Sequence, residues 1–209
     1  MGFPVYDFRN PEHVKNLLVL PEMRSRILKM EPGGGFNERH SHDLGIEVFL
    51  ILQGHAEFEI EGEMETLGPG QLCFALVDQA HAVRVVGDEP VIMYLSVTPH
   101  ILPTHTGRTK EGEAKPVKFS SPASYDVEVD KALARADLIE RHRRAVHTFH
   151  DSARSLTEAH QEGVDALAAS SEQDEALRNK MWEKLFRVHR DLSELSDSWN
   201  DLAPTLQSK

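Results

Sequence analysis

Residues 34–54 read GGFNERHSHDLGIEVFLILQG. His40 and His42 are separated by one residue, so on extended backbone both imidazoles fall on the same face. Glu47 follows five residues after His42, at the head of the apolar run Ile46–Leu52. A fourth donor, His81, opens the later apolar segment His81–Val86. Three imidazoles and one carboxylate make a mixed nitrogen and oxygen set. Such a set suits Mn, Fe, Co, Ni, Cu or Zn better than Ca or Mg.

Outward from this stretch, the first half of the chain is built of short apolar or alternating runs. Strands are expected at 24–30, 46–53, 55–61, 71–76, 81–86 and 91–98. Turn residues punctuate them: Pro32-Gly33-Gly34-Gly35, Gly54, Gly62, Gly68-Pro69-Gly70 and Gly87-Asp88. Ala56-Glu57-Phe58-Glu59-Ile60-Glu61 alternates apolar and acidic residues, the pattern of a half-buried antiparallel strand. Many short strands at even spacing point to a sandwich or barrel. Ahead of them, Asn10-Pro11 predicts a short helix to about Leu18, with Asn as N-cap and Pro at its first position.

The spacing carries a resemblance. Gly34, five residues, His40, one, His42, four, Glu47, six and Gly54 reproduce the first motif of the cupin superfamily at every position. Residues 70–85 resemble the second motif through Gly70 and His81, with Leu76, Asp78 and Val85 where the family has Pro, Gly and Asn. Asp keeps the turn within reach through its own side chain. Fifteen residues separate the motifs, as in small single-domain microbial cupins. The resemblance covers roughly residues 24–98. It implies a double-stranded β-helix (jelly-roll) barrel whose metal ligands are His40, His42, Glu47 and His81. It also implies that Phe49 and Ile51 point inward with Glu47, and Val83 and Val85 with His81, leaving a largely apolar pocket.

Several residues are weighed as companions of that site. Arg24 and Arg26 share a face of an early strand. Turned inward, they would grip a substrate carboxylate, but the solvent face is the expectation. Tyr94, Glu38 and Arg26 are the catalytic candidates, the first two as general acid or base. His100 and His105 are read as loop residues. Cys73 is read as a small buried hydrophobe. The glycines at 33–35 lack the Gly-Lys-Ser/Thr ending of a phosphate loop, and there is no G-x-S-x-G elbow or CxxC pair.

Beyond residue 110 the character changes. The expected organisation is a barrel with a short N-terminal helix over 1–110, an arm over 111–127 and a helical hairpin over 128–203. One helix carries a seven-residue repeat through Ala132, Ile139, Val146, Ala153, His160 and Leu167, and the pattern breaks over 168–174. The second has a 4-3 seam through Met181, Leu185, Val188, Leu192, Leu195, Trp199 and Leu202, with Pro204 just past its end. A hairpin of this kind is expected to dimerise the chain or to cap the barrel. His147 and Asp151 share a helix face, but no second helix offers a matching ligand set, so no di-metal bundle is expected.

The net charge of −11 over 209 residues speaks against nucleic-acid and anionic-membrane partners, which need clustered Lys and Arg. One cysteine allows no disulfide within the chain, which suits a reducing compartment. The first residues show no signal peptide, and no stretch is apolar enough to span a bilayer, so a cytoplasmic protein is expected. Taken with the resemblance, the expectation is a metal-dependent enzyme acting on a small polar organic molecule. The metal would be Fe, Mn, Zn, Ni or Cu, and the leaning is to dioxygenase-type oxidoreductase chemistry. A cupin lyase or isomerase, and a metal-assisted ligand sensor without catalysis, are the alternatives.

Overall fold

The computed structural model describes residues 2–120, 122–127, 134–169 and 174–206. The chain divides into two compact units, residues 1–129 and 130–209. No helix among the described residues is long and apolar enough to cross a membrane.

The first unit holds ten strands: β1 Asn16–Leu20, β2 Met23–Met30, β3 Gly35–Ser41, β4 Ile46–Gln53, β5 His55–Ile60, β6 Glu63–Leu67, β7 Leu72–Ala75, β8 His81–Val86, β9 Val91–Thr98 and β10 Thr106–Gly107. They form two five-stranded sheets, ordered β1-β2-β9-β4-β7 and β10-β3-β8-β5-β6. All the named pairings are antiparallel. The core lies between the sheets. Leu28, Phe49, Ile51, Met93 and Leu95 come from one sheet, and Ala56, Phe58, Leu67 and Val83 from the other. The alternation seen in the sequence of β5 is explained directly: Ala56 and Phe58 are buried in that core while Glu57 and Glu59 lie on the other face. This is the double-stranded β-helix expected from the motif spacing.

The N-terminal helix is corrected. Residues 11–13 make a single 3-10 turn, capped by the Asn10 side chain accepting from the Glu12 amide at 3.0 Å. The Asn-Pro signal does start a turn. The apolar residues beyond it extend instead, because β1 can pair with β2. The motif glycine Gly54 has φ +72°, and a Cβ there would meet the Pro90 carbonyl oxygen at 2.5 Å, so both conformation and space demand glycine. Asp78 has φ +63°, and its amide donates to the His42 carbonyl at 3.0 Å. The family's glycine is thus replaced by a residue that tolerates the left-handed region.

The second unit is an antiparallel pair, α1 Arg135–Ala169 and α2 Glu175–Leu202. Asp174 caps α2, its carboxylate accepting from the Leu177 amide at 2.9 Å. His142 Nδ1 and Ser198 Oγ share a hydrogen bond of 3.0 Å, and His160 Nε2 donates to the Met181 carbonyl at 3.0 Å. Arg141 is paired with Asp197 and Asp201. The seven-residue period holds on α1, but its phase is one position earlier than the apolar residues indicate. Ala145, Ser152, Ala159 and Gly163 are buried, whereas Ile139, Val146 and Leu167 are exposed. On α2 the seam holds at buried Leu202 and half-buried Met181, Leu185, Val188, Leu195 and Trp199, but Leu192 is exposed while Asp191 and Ser198 are buried. Small side chains let the helix backbones approach, and at Gly163 a Cβ would lie 2.5 Å from the Met181 sulfur. Ala132, and the break over 170–173, lie outside the described residues.

Candidate metal centre

His40 is near the end of β3, His42 just past it, Glu47 second in β4 and His81 first in β8. His40 and His81 are partners across the β3–β8 ladder, which brings one arm of each sequence motif to the same place. One donor atom from each of the four residues falls within 4.8 Å of every other. Glu47 Oε2 lies 2.9 Å from His42 Nε2, 3.0 Å from His81 Nε2 and 3.9 Å from His40 Nε2. His42, Glu47 and His81 are buried, and His40 is half-buried at the edge of a cavity.

The hydrogen bonds behind the imidazoles set their tautomers. His42 Nδ1 donates to the Thr104 carbonyl at 2.6 Å, and His81 Nδ1 donates to the Gln79 carbonyl at 2.9 Å. A carbonyl oxygen only accepts, so both Nδ1 atoms carry protons. The Nε2 atoms of both rings then face Glu47. Burial opposes ionisation of Glu47, but the imidazoles of His40, His42 and His81 outweigh it and hold its carboxyl well below the usual carboxylate range. At 2.9 and 3.0 Å from a buried carboxylate, each Nε2 needs a positive charge between the two, supplied by a ring proton or by a bound metal ion. Backbone carbonyls orienting ring Nδ1–H groups are also the usual support of metal-bound histidine. The residues present therefore fit a divalent transition metal.

The cavity beside the four residues has a volume of about 450 Å³, the size of a small-molecule site. Its apolar lining is Phe36 and Val83 from one sheet and Phe49 and Leu95 from the other. Ile51 continues into the core behind it, and Val85 packs against that core. The expectation for the arginines is corrected on the Phe49 sheet, where Arg26 pairs with Leu95. Arg24 and Arg26 alternate on β2 with Ser25 and Ile27, on the same face as Leu28 and Met30, and both line the cavity. Arg24 is 4% exposed, with Nη2 3.9 Å from Glu47 Oε1 and its guanidinium carbon 5.1 Å from the Tyr125 ring centre. Of the catalytic candidates, Glu38 sits on the rim with an exposed carboxylate facing Lys115 Nζ at 3.3 Å. Tyr94 lies on the other face of β9 from Met93 and Leu95 and does not line the cavity.

Three residues at the site carried no such expectation. His105 packs its ring 4.7 Å from that of His42 and 5.1 Å from that of His40 and lines the cavity. Burial, reinforced by the neighbouring His42, holds it neutral, with a pKa pushed down to about 2. His100 is buried, shares a 3.1 Å hydrogen bond with Thr104 Oγ1 and stands edge-on to Tyr125 at 4.8 Å. Tyr125 belongs to a 3-10 turn over residues 122–125 that closes the cavity from above Arg24. In sequence these are loop residues without periodicity.

Burial pushes the His100 pKa down to about 4, so the folded chain refuses a proton that the unfolded chain accepts near its ordinary value of 6.5. Between those two pH values the unfolded state binds more protons, and stability falls as the pH falls. The expected loss from this group is about 3 kcal/mol between pH 6.5 and 4, read by urea unfolding at stepped pH. His100→Gln should make that profile shallower by about this amount, leaving the contribution of the neutral His105 in place. An unchanged acid slope would show that the imidazole is not held neutral.

A ten-stranded double β-sheet barrel with a three-histidine, one-glutamate cluster at its mouth defines a metal-binding jelly roll. The family model described as "Cupin domain" matches residues 26–98, within this barrel. The chain is similar to an uncharacterized conserved protein with a double-stranded β-helix domain from Klebsiella pneumoniae, at 20% identity over 52% of this chain and 100% of that one, with a TM-score of 0.46. It is also similar to the Cnp3 cupin domain of Schizosaccharomyces pombe, at 18% identity over 40% and 61% of the two chains, with a TM-score of 0.39. A third similar structure is the DMSP lyase DddQ of Ruegeria pomeroyi, at 27% identity over 41% and 42%, with a TM-score of 0.37. No curated protein matches the chain.

Proposed function

We propose that the barrel is a metal-dependent enzyme acting on a small organic molecule, with His40, His42, Glu47 and His81 as the metal ligands. The observation that carries this is the convergence of two carbonyl-locked imidazoles on an ionised, buried Glu47. A divalent metal bound there supplies Lewis acidity to a coordinated oxygen. The chain does the rest. His42 and His81 are held in one tautomer, Phe49 and Val83 exclude water, and Arg24 and Arg26 offer polar groups for orientation. The apolar lining, poor in bases, supports dioxygenase-type oxidoreductase chemistry at a redox metal. His105 favours a second reading, a lyase or isomerase, because its imidazole lines the cavity beside the ligands. A homo-oligomer built through the helices belongs to the same reading. It is supported by Trp182 and Phe186, both exposed on α2, and light scattering reads its mass.

The test is turnover of a panel of small oxo-, hydroxy- and amino-acids by Fe(II)- and Mn(II)-loaded protein, with and without O2. Oxygen-dependent consumption is the expected result. Equal turnover under anaerobic conditions would favour the lyase or isomerase. Binding without turnover would replace the enzyme by a sensor.

A further inference from the structure

Arg24 and Arg26 stand two residues apart on one face of β2, side by side in the wall of the cavity. The Nε atom of each is buried and has no hydrogen-bond partner. The nearest acid to Arg24 is Glu47, at 3.9 Å, beyond hydrogen-bonding distance. Two like charges held together in a desolvated wall with free donors cost stability, and such an arrangement persists where a ligand completes it. A guanidinium edge of Nε and Nη offers two parallel donors, the fork that matches a planar carboxylate. The Tyr125 ring, 5.1 Å from the Arg24 guanidinium carbon, holds that guanidinium in place. The apolar lining of Phe36, Phe49, Val83 and Leu95 offers no partner to a second anionic group, which favours a single negative charge.

We infer that Arg24 and Arg26 form a carboxylate clamp, and that the ligand of this cavity is a small monocarboxylate with a second oxygen donor on the adjacent carbon. The carboxylate lies against the arginines, and the second oxygen reaches toward the four-residue cluster. The inference rests on the proposed metal site for that second contact, but not for the clamp itself.

The test is calorimetric titration of full-length protein with glycolate, with its uncharged counterpart glycolamide and with inorganic phosphate. Wild type, Arg26→Met and Arg24→Met are each titrated metal-loaded and metal-free, with metal content measured on every sample. Glycolate is expected to bind wild type at least about tenfold more tightly than glycolamide or phosphate, and each variant to lose about tenfold or more while keeping its metal. Arg26→Met should also melt at or above the wild-type temperature without ligand, since burial and the neighbouring Arg24 outweigh the attraction of Asp126 and Glu47 for that charge. A purely structural arginine would melt lower. Equal binding of glycolate and glycolamide, tighter phosphate, no glycolate binding by wild type, or undiminished binding by both variants would each overturn the clamp. Wild type that holds no metal yet prefers glycolate, with the preference lost in the variants, would leave the clamp standing and sink the metal reading alone.

Discussion

Glu47→Gln is expected to lower metal affinity at least about 100-fold, more than loss of a supporting contact costs. Glu47 is 3% exposed and is the carboxylate that the three imidazoles face. Glutamine keeps the shape and removes the charge, so a divalent ion would sit among neutral donors with its charge uncompensated in a buried place. The same change leaves no buried carboxylate unpaired in the metal-free state. The variant should therefore fold, and its thermal unfolding serves as the control. Competition against a chromogenic chelator reads the affinity. A variant that binds as tightly as wild type would remove Glu47 from the ligand set.

Phe49→Ala is expected to cost about 3–5 kcal/mol of stability, as large aromatic truncations in well-packed cores do. Phe49 is 3% exposed, with its ring centre 5.1 Å from that of Phe58 on the facing sheet and 5.8 Å from that of His81. It joins the core to the site, so the loss should appear both in urea unfolding and as weaker retention of metal. A cost near that of a surface substitution would mean that the two sheets do not close on this residue.

What could be read from the residues, and what could not, follows from how far each signal reaches along the chain. His40, His42 and Glu47 lie within one short stretch and His81 follows a fixed turn, so their meeting is encoded in local spacing that the strand period translates into a face. The facing of Arg24 and Arg26 was not legible. Charged residues at alternate positions read as a solvent face, and only the continuation of β2 into Leu28 and Met30 places them inward. His105 and Tyr125 reach the cavity through a non-repeating segment, where no period exists to read. In the helices, apolarity pointed to Val146 and Leu192, whereas close backbone approach selects the small residues Ala145, Ser152 and Ser198. The N-terminal turn shows the opposite limit. The Asn10 cap formed as its chemistry requires, and pairing with β2 then overrode the continuation into a helix.

The central claim is the metal. Elemental analysis of purified, tag-free protein beside a His40→Ala/His81→Ala double variant tests it most directly. A divalent transition metal near one per chain in the wild type, absent from the variant, is the expected result. No metal in the wild type after reconstitution with Fe, Mn, Zn, Ni or Cu, or equal metal in both proteins, would contradict it.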